Sequence, residues 1–275
     1  MGYVEADEGE ENMRKIEMAE LREKQMEILD YVAQFCDDHG IRYIIEGGTM
    51  LGAIRHGGYI PWDDDIDVGM LREDYQRFTE LFPRETKDGY VFACAETVDK
   101  WHLPFGKVMD TNTLLTQDGH DLGINIDIFP YDDSPADPEI MKKMYAKRDR
   151  LKVLNATQIR KEKPSGNLIR RIAAYGIRAV LRFFPEYYFI RRIEKNAQRF
   201  NGKGHENLAT FTGESKVTTC KKEWIFDRKL VPFENRNYKI PVNYDAWLRS
   251  FYGEYMQIPP EDKRKHHTFE AYMKD

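Results

Sequence analysis

Cysteine is scarce. Cys36, Cys94 and Cys220 are the only three in 275 residues, and each stands alone in the sequence. They form neither a paired metal spacing nor an even disulfide framework, which argues against a zinc module and a disulfide scaffold and points to a reducing compartment. A basic excess is also missing, since 42 Lys and Arg face 47 Asp and Glu for a net charge of −5. Without a surplus of phosphate-neutralising side chains, nucleic acid is a poor partner. No uncharged apolar run reaches the roughly 18–20 residues that a spanning helix needs. The opening MGYVEADEGEEN is acidic where a signal peptide would be basic and then apolar. The expectation is a cytoplasmic protein, soluble or peripheral at the inner face of the membrane. Internal repeats and low-complexity linkers are absent too.

What is present is enough apolar material for a core, 41% of residues with 13% aromatic, and a marked segregation of charge. Between Ile140 and Lys195 there are 16 Lys and Arg against 4 Asp and Glu, a net of +12, which leaves −17 for the remainder. Residues 1–11 hold five acids and no base and read as a solvated tail. From Asn12 to His39, Leu21, Ile28, Val32 and Phe35 recur at helical spacing, with Gly40 placed to end the helix. Strands are expected at Arg42–Ile45, Asp63–Met70, Tyr90–Ala95, Lys107–Met109 and Ile124–Phe129, with a helix over Arg72–Phe82. After Asp137 the pattern turns helical almost to the end, broken at Pro164-Ser165-Gly166 and Pro185. The reading is an α+β fold: a core over residues 12–136, then a mainly helical region over 137–275 packed on it.

Within DDDIDVGM, carboxylates alternate with apolar residues. On a strand, residues i and i+2 share a face, so Asp65 and Asp67 project together, Ile66 and Val68 lie behind, and Asp63 extends the row. Carboxylates this close repel one another unless a cation sits between them. Hard oxygen ligands without neighbouring His or Cys suit Mg²⁺ or Mn²⁺. A second segment, INIDIFPYDD, offers Asp127 between Ile126 and Ile128. Beside the first pair it would complete a site of three carboxylates able to hold two metals. An exposed acidic turn is the alternative for DDDID, and a turn cap for Asp127. A calcium loop of the EF-hand kind is disfavoured by Val68 where glycine belongs and Asp74 where glutamate belongs. Ahead of the aspartates, Gly47 and Gly48 would let a backbone approach an anion and Thr49 adds a hydroxyl, a turn that can bind phosphate or be only a turn.

These residues resemble a known family. GGTMLGAIRHGGYIPWDDDIDVGMLREDYQRF (Gly47–Phe78) is similar to the signature of the LicD family of phosphocholine transferases, which includes fukutin and fukutin-related protein. FGKVMDTNT, INIDIFPYDD and FYGEYMQIPPEDKRKHH support the resemblance. It implies a nucleotidyltransferase-like mixed sheet with flanking helices, related to DNA polymerase beta. Gly47, Gly48 and Thr49 would form its turn, Asp65 and Asp67 its metal strand, and Asp127 its third carboxylate. Sixteen residues separate Gly48 from Asp65, more than that superfamily's usual gap, so a turn around His56–Trp62 is expected to shape the pocket.

The resemblance further implies a CDP-alcohol donor, CDP-choline or CDP-ribitol, and transfer of its phospho-alcohol to a glycan such as lipopolysaccharide or teichoic acid, with release of CMP. Asp127 would help deprotonate the acceptor, while Lys107 and Arg55 are candidate phosphate contacts or else solvated charges. Tyr59, Trp62, Trp101 and Tyr131 are candidates for an aromatic cage around choline, or else core residues. Alternatives are a nucleotide-sugar glycosyltransferase of the GT-A kind, whose Asp-x-Asp also binds metal, and a degenerate glycan-binding module. In LIRRIAAYGIRAVLRFF (Leu168–Phe184), Arg170, Arg171, Arg178 and Arg182 lie on one side and an apolar face opposite. That pattern fits a helix packed on the core or one lying on a membrane near a lipid-linked acceptor. His266-His267 is assigned no ligand role.

Overall fold

The computed structural model describes residues 13–86, 89–117, 120–159, 167–185, 187–213, 218–264 and 269–274. The acidic stretch 1–11, the Pro164-Ser165-Gly166 break and His266-His267 lie outside the described residues. The chain runs β1 (Met13–Lys15), α1 (Met18–Asp38), β2 (Ile44–Ile45), α2 (Gly47–His56), β3 (Asp67–Leu71), α3 (Arg72–Glu85) and β4 (Tyr90–Ala93). Two long strands follow, β5 (Gly106–Gln117) and β6 (His120–Ser134), then the helices α4 (Pro138–Ile159), α5 (Leu168–Leu181) and α6 (Tyr188–Ala197). The remainder is β7 (Asn207–Ala209), β8 (Cys220–Lys221), β9 (Arg228–Phe233), β10 (Arg236–Pro241), α7 (Tyr244–Tyr252) and β11 (Glu270–Lys274). The class is α+β.

Helix α1 forms where the apolar spacing asks for it: Leu21, Ile28, Val32 and Phe35 are all buried against the sheet. It stops at Gly40, whose φ of +62° lets Ile41 N–H fold back onto the Cys36 carbonyl at 2.8 Å. The main sheet has the order β1-β11-β5-β6-β3-β2, with β4 pairing β5 and β7 joining β6 to β8. Its one parallel pair among the described residues is β3 with β6. Strand β5 is shared lengthwise, its first part pairing β4 and its later part β11, with an irregularity between Asp110 and Leu115.

The helical pattern expected after Asp137 ends sooner than the sequence indicated. It is interrupted after Ala197, where five strands and the helix α7 follow among the described residues. In RKLVPF and RNYKIP every second residue of the later part turns inward, a period of two that places Val231, Phe233, Tyr238 and Ile240 on the buried face of a hairpin. The helical segment is tied to the sheet through Arg72. Its guanidinium donates twice to buried Asp132, at 2.8 Å each, and once to Glu194 of α6 at 2.8 Å. Met141, Met144, Tyr145, Ala197 and Phe211 form a second, smaller core there.

Candidate active site

The parallel pairing of β3 and β6 sets Asp67 directly opposite Asp127. Residues in register on neighbouring strands point to the same face, so two carboxylates far apart in sequence become neighbours. Asp65 lies two residues ahead of Asp67 in extended chain, held by Asp127 N–H donating to the Ile66 carbonyl at 2.8 Å. Ile66 and Val68 are fully buried behind the acidic face, as alternation requires. The strand itself begins at Asp67, not Asp63. Residues 60–63 form a turn instead, because Arg22 of α1 gathers the carbonyls of Ile60, Pro61 and Asp63 (2.7 Å to Asp63). On the other side, β5 brings Lys107 opposite Asp127, and its ammonium pairs with Asp127 Oδ1 and donates to Asn125 Oδ1 at 2.9 Å.

The Gly-Gly turn makes room for these acids. Gly47 has φ +54°, and a side chain there would put Cβ 2.6 Å from Asp67 Oδ2. At Gly48 a Cβ would lie 2.7 Å from Asp63 Oδ2. Both carboxylates therefore sit against the positive N-terminal end of α2. Thr49 Oγ1 accepts the Asp67 N–H at 2.8 Å, and the Glu46 N–H donates to the Asp67 carbonyl at 2.9 Å. Glu46, the residue before the helix, is itself buried and accepts the Tyr131 hydroxyl.

The electrostatics are those of a cluster short of positive charge. Burial pushes the Asp65 carboxyl well above the usual range, and Asp63 and Asp127 add to this. Asp67 is raised in the same way, by burial and then by Asp65 and Asp127. Asp127 is raised by burial, with the Lys107 ammonium opposing the rise. Carboxylate oxygens of Asp63, Asp64 and Asp65 also lie within 4.8 Å of one another. An all-carboxylate donor set with raised proton affinity fits a hard divalent cation, which would relieve the repulsion that burial amplifies.

Two clefts meet at the cluster. One, of about 330 Å³, runs past Gln25, His102, His120 and Asn125; the other, of about 360 Å³, past Glu46, Gly47, Phe129, Thr210 and Tyr252. Asp65, Phe105 and Asp127 line both. Lys107 lines the first, and Asp67 and Gly47 the second. Arg55 lines neither cleft; its guanidinium donates to the Tyr255 carbonyl at 2.8 Å and ties α2 to the segment after α7. The cage candidates are also placed elsewhere. Tyr59, Trp101 and Tyr131 are buried, with hydroxyl or indole N–H bonded to Gln25, Phe105 and Glu46 respectively. Trp62 stacks under Arg264. The aromatics that line the cleft beside Glu46 are Phe105 and Phe129, with ring centroids 4.4 Å apart, and Phe251 and Tyr252. No spacing in the sequence marks them, although they stand inside FGKV, DIFPY and FYGEY. Asn125 and Glu46 carry no sequence signal either, since their contacts depend on strand pairing.

A mixed sheet whose parallel pair carries paired carboxylates beside a Gly-Gly turn is the arrangement that the resemblance to nucleotidyltransferases implies. The profile of the LicD/FKTN/FKRP nucleotidyltransferase domain matches residues 40–160. The chain is 32% identical over 273 residues to lipopolysaccharide cholinephosphotransferase LicD of Haemophilus influenzae, covering 95% of this chain and all of that one. It is 33% identical over 101 residues to the ribitol 5-phosphate transferase FKRP of human and of mouse, a match spanning 37% of this chain and 19% of each of those. The protein belongs to the LicD family.

Proposed function

We propose that the protein transfers phosphocholine, or a related phospho-alcohol, from a CDP-alcohol to a hydroxyl of a cell-surface glycan carried on a lipid, with release of CMP. Full-length similarity to a cholinephosphotransferase supports phosphocholine, and the FKRP similarity supports the wider class of phospho-alcohols. The single observation that carries the chemistry is the register of Asp67 with Asp127, with Asp65 beside them.

In this reading the acceptor oxygen forms a bond to the phosphorus that bears the alcohol, and the bond from that phosphorus to the CMP oxygen breaks in line. The acceptor proton passes to Asp127, on the carboxylate oxygen that Lys107 does not hold. Asp65, Asp67 and Asp127, with Asp63 at the edge, would hold Mg²⁺ or Mn²⁺, which supplies charge neutralisation for the diphosphate when bound. The cleft beside Gly47 and Glu46 suits the donor, with Phe129, Phe251 and Tyr252 offering faces to a trimethylammonium group. The Gly47-Gly48-Thr49 turn is assigned to its phosphates, with Lys107 reaching them across Asp127 from the adjoining cleft. The cleft beside Gln25 and Asn125 suits the acceptor.

The test is a panel of CDP-choline, CDP-ribitol and CDP-glycerol with Mg²⁺ or Mn²⁺, reading CMP release in the presence of a glycan acceptor. One donor should turn over, and Asp65→Ala, Asp67→Ala and Asp127→Ala should each lose about 10²–10³-fold or more. Wild-type turnover in Asp67→Ala or Asp127→Ala would overturn the mechanism.

A further inference from the structure

Helix α5 is amphipathic, and its apolar face points the wrong way for a core helix. Among its residues and the turn that follows, Leu168, Ile169, Ile172, Val180, Phe183 and Phe184 are exposed, Ile169 at 78% and Phe183 at 89%. At 100° per residue these six fall within an arc of about 160° that contains no charged residue. The helix docks through a different sector. Leu181 is buried, Ala174 is half-buried, and Gln158 of α4 donates to the carbonyls of Leu181, Phe184 and Pro185. Arg171, Arg178 and Arg182 occupy a third sector, within about 40° of one another, bordering the apolar arc. An apolar surface this continuous is rare on a monomer unless it meets something. Among the described residues, no helix is long and apolar enough to cross a membrane.

We propose that α5 is a membrane-docking helix, lying in the interface of an anionic bilayer with its apolar arc, from Leu168 to Phe184, immersed. Three observations favour a lipid surface over a second copy of the chain. First, the arginines flank the apolar arc as in helices that lie in the headgroup region, their stems over apolar surface and their charges at the phosphates. Second, the segment from Ile140 to Lys195 carries +12 while the rest of the chain carries −17, so an anionic surface orients this side toward itself despite the net charge of −5. Third, pairing two copies through this face would bring the arginine clusters of both together, a like-charge contact that opposes a dimer. The inference stands apart from the transferase reading, because a catalytically silent protein would bind vesicles equally.

The test is co-sedimentation of the full chain with phosphatidylglycerol-containing vesicles and with pure phosphatidylcholine vesicles, at low and high salt. Binding to the anionic vesicles is expected, weakened by salt. The double variant Ile172→Asp/Phe183→Asp should lower the partition coefficient about tenfold or more. Replacing Arg171, Arg178 and Arg182 by Gln should cost about fivefold per arginine at low salt. All five side chains project from the surface or its margin, so an unchanged thermal midpoint checks that each variant still folds. Absence of binding to anionic vesicles at low salt would overturn the proposal. So would binding indifferent to both variants, or a concentration-dependent dimer that Ile172→Asp/Phe183→Asp abolishes.

Discussion

Gly47→Ala is the sharpest probe of the site, because the structure predicts two separable costs. The backbone there has φ +54°, and an L-residue held in that region costs about 1–2 kcal/mol. The new Cβ would stand 2.6 Å from Asp67 Oδ2, roughly 1 Å inside ordinary contact. The carboxylate must then move by a comparable distance, and a misplacement of about 1 Å in a reacting array costs on the order of 10²-fold in rate. Gly57→Ala supplies the control, since Gly57 has φ +74° and open space where its Cβ would go. It should lose about 1–2 kcal/mol in urea unfolding and retain its activity. Gly47→Ala should lose that and a further 1–3 kcal/mol or so from overlap, with weakened Mn²⁺ binding by calorimetry and the drop in CMP release. Should the rate of Gly47→Ala fall within about twofold of Gly57→Ala, the close approach of backbone to carboxylate does not govern the site.

Other perturbations test its surroundings. Lys107→Met leaves Asp127 without its ammonium in a largely buried position and should destabilise the protein by about 3 kcal/mol in chelator, with part recovered on adding Mn²⁺; equal loss in both conditions would argue against a cation at the aspartates. Arg72→Met strands buried Asp132 and Glu194 and should cost about 3–5 kcal/mol by equilibrium unfolding, with a loss under 1 kcal/mol refuting the coupling of sheet to α6. His102, stacked on His120 at 3.8 Å, has its pKa lowered from 6.5 to about 4 by burial and then by His120 and Lys107. Its folded value lies below its unfolded one, so its contribution is complete above pH 6.5 and disappears as pH falls toward 4. After allowance for partial exposure this is worth about 1–2 kcal/mol. The stability of His102→Gln should vary less than wild type across that window.

Local pattern carried much of this to the reader of the sequence. The spacing of Leu21, Ile28, Val32 and Phe35 with Gly40 after them marks α1, and alternation in DDDID places Asp65 and Asp67 on one face with Ile66 and Val68 behind. The structure brings Asp127 beside them. Pairing was not legible. That Lys107 stands opposite Asp127, and not out in solvent, depends on the β5–β6 register. Likewise Arg55 meets the Tyr255 carbonyl only because the chain returns there. Strand β5 runs far beyond Lys107–Met109 since DTNT, polar and turn-like by composition, bends at an irregularity and then pairs β11. The direction of the α5 apolar face was undecidable from its periodicity, because a core and a bilayer ask for the same stripe. Its contacts through Leu181 settle which side meets the protein.

Strand β11 lies between β1 and the later part of β5. During synthesis, then, residues 113–116 present a bare hydrogen-bonding margin until residues 270–273 emerge to cover it. The same strand that gives Lys107 to the aspartates thus waits for the last described segment before it is fully seated. A premature stop between α7 and β11 would leave the acidic triad intact in sequence but would hand cells a sticky edge, open to neighbouring chains.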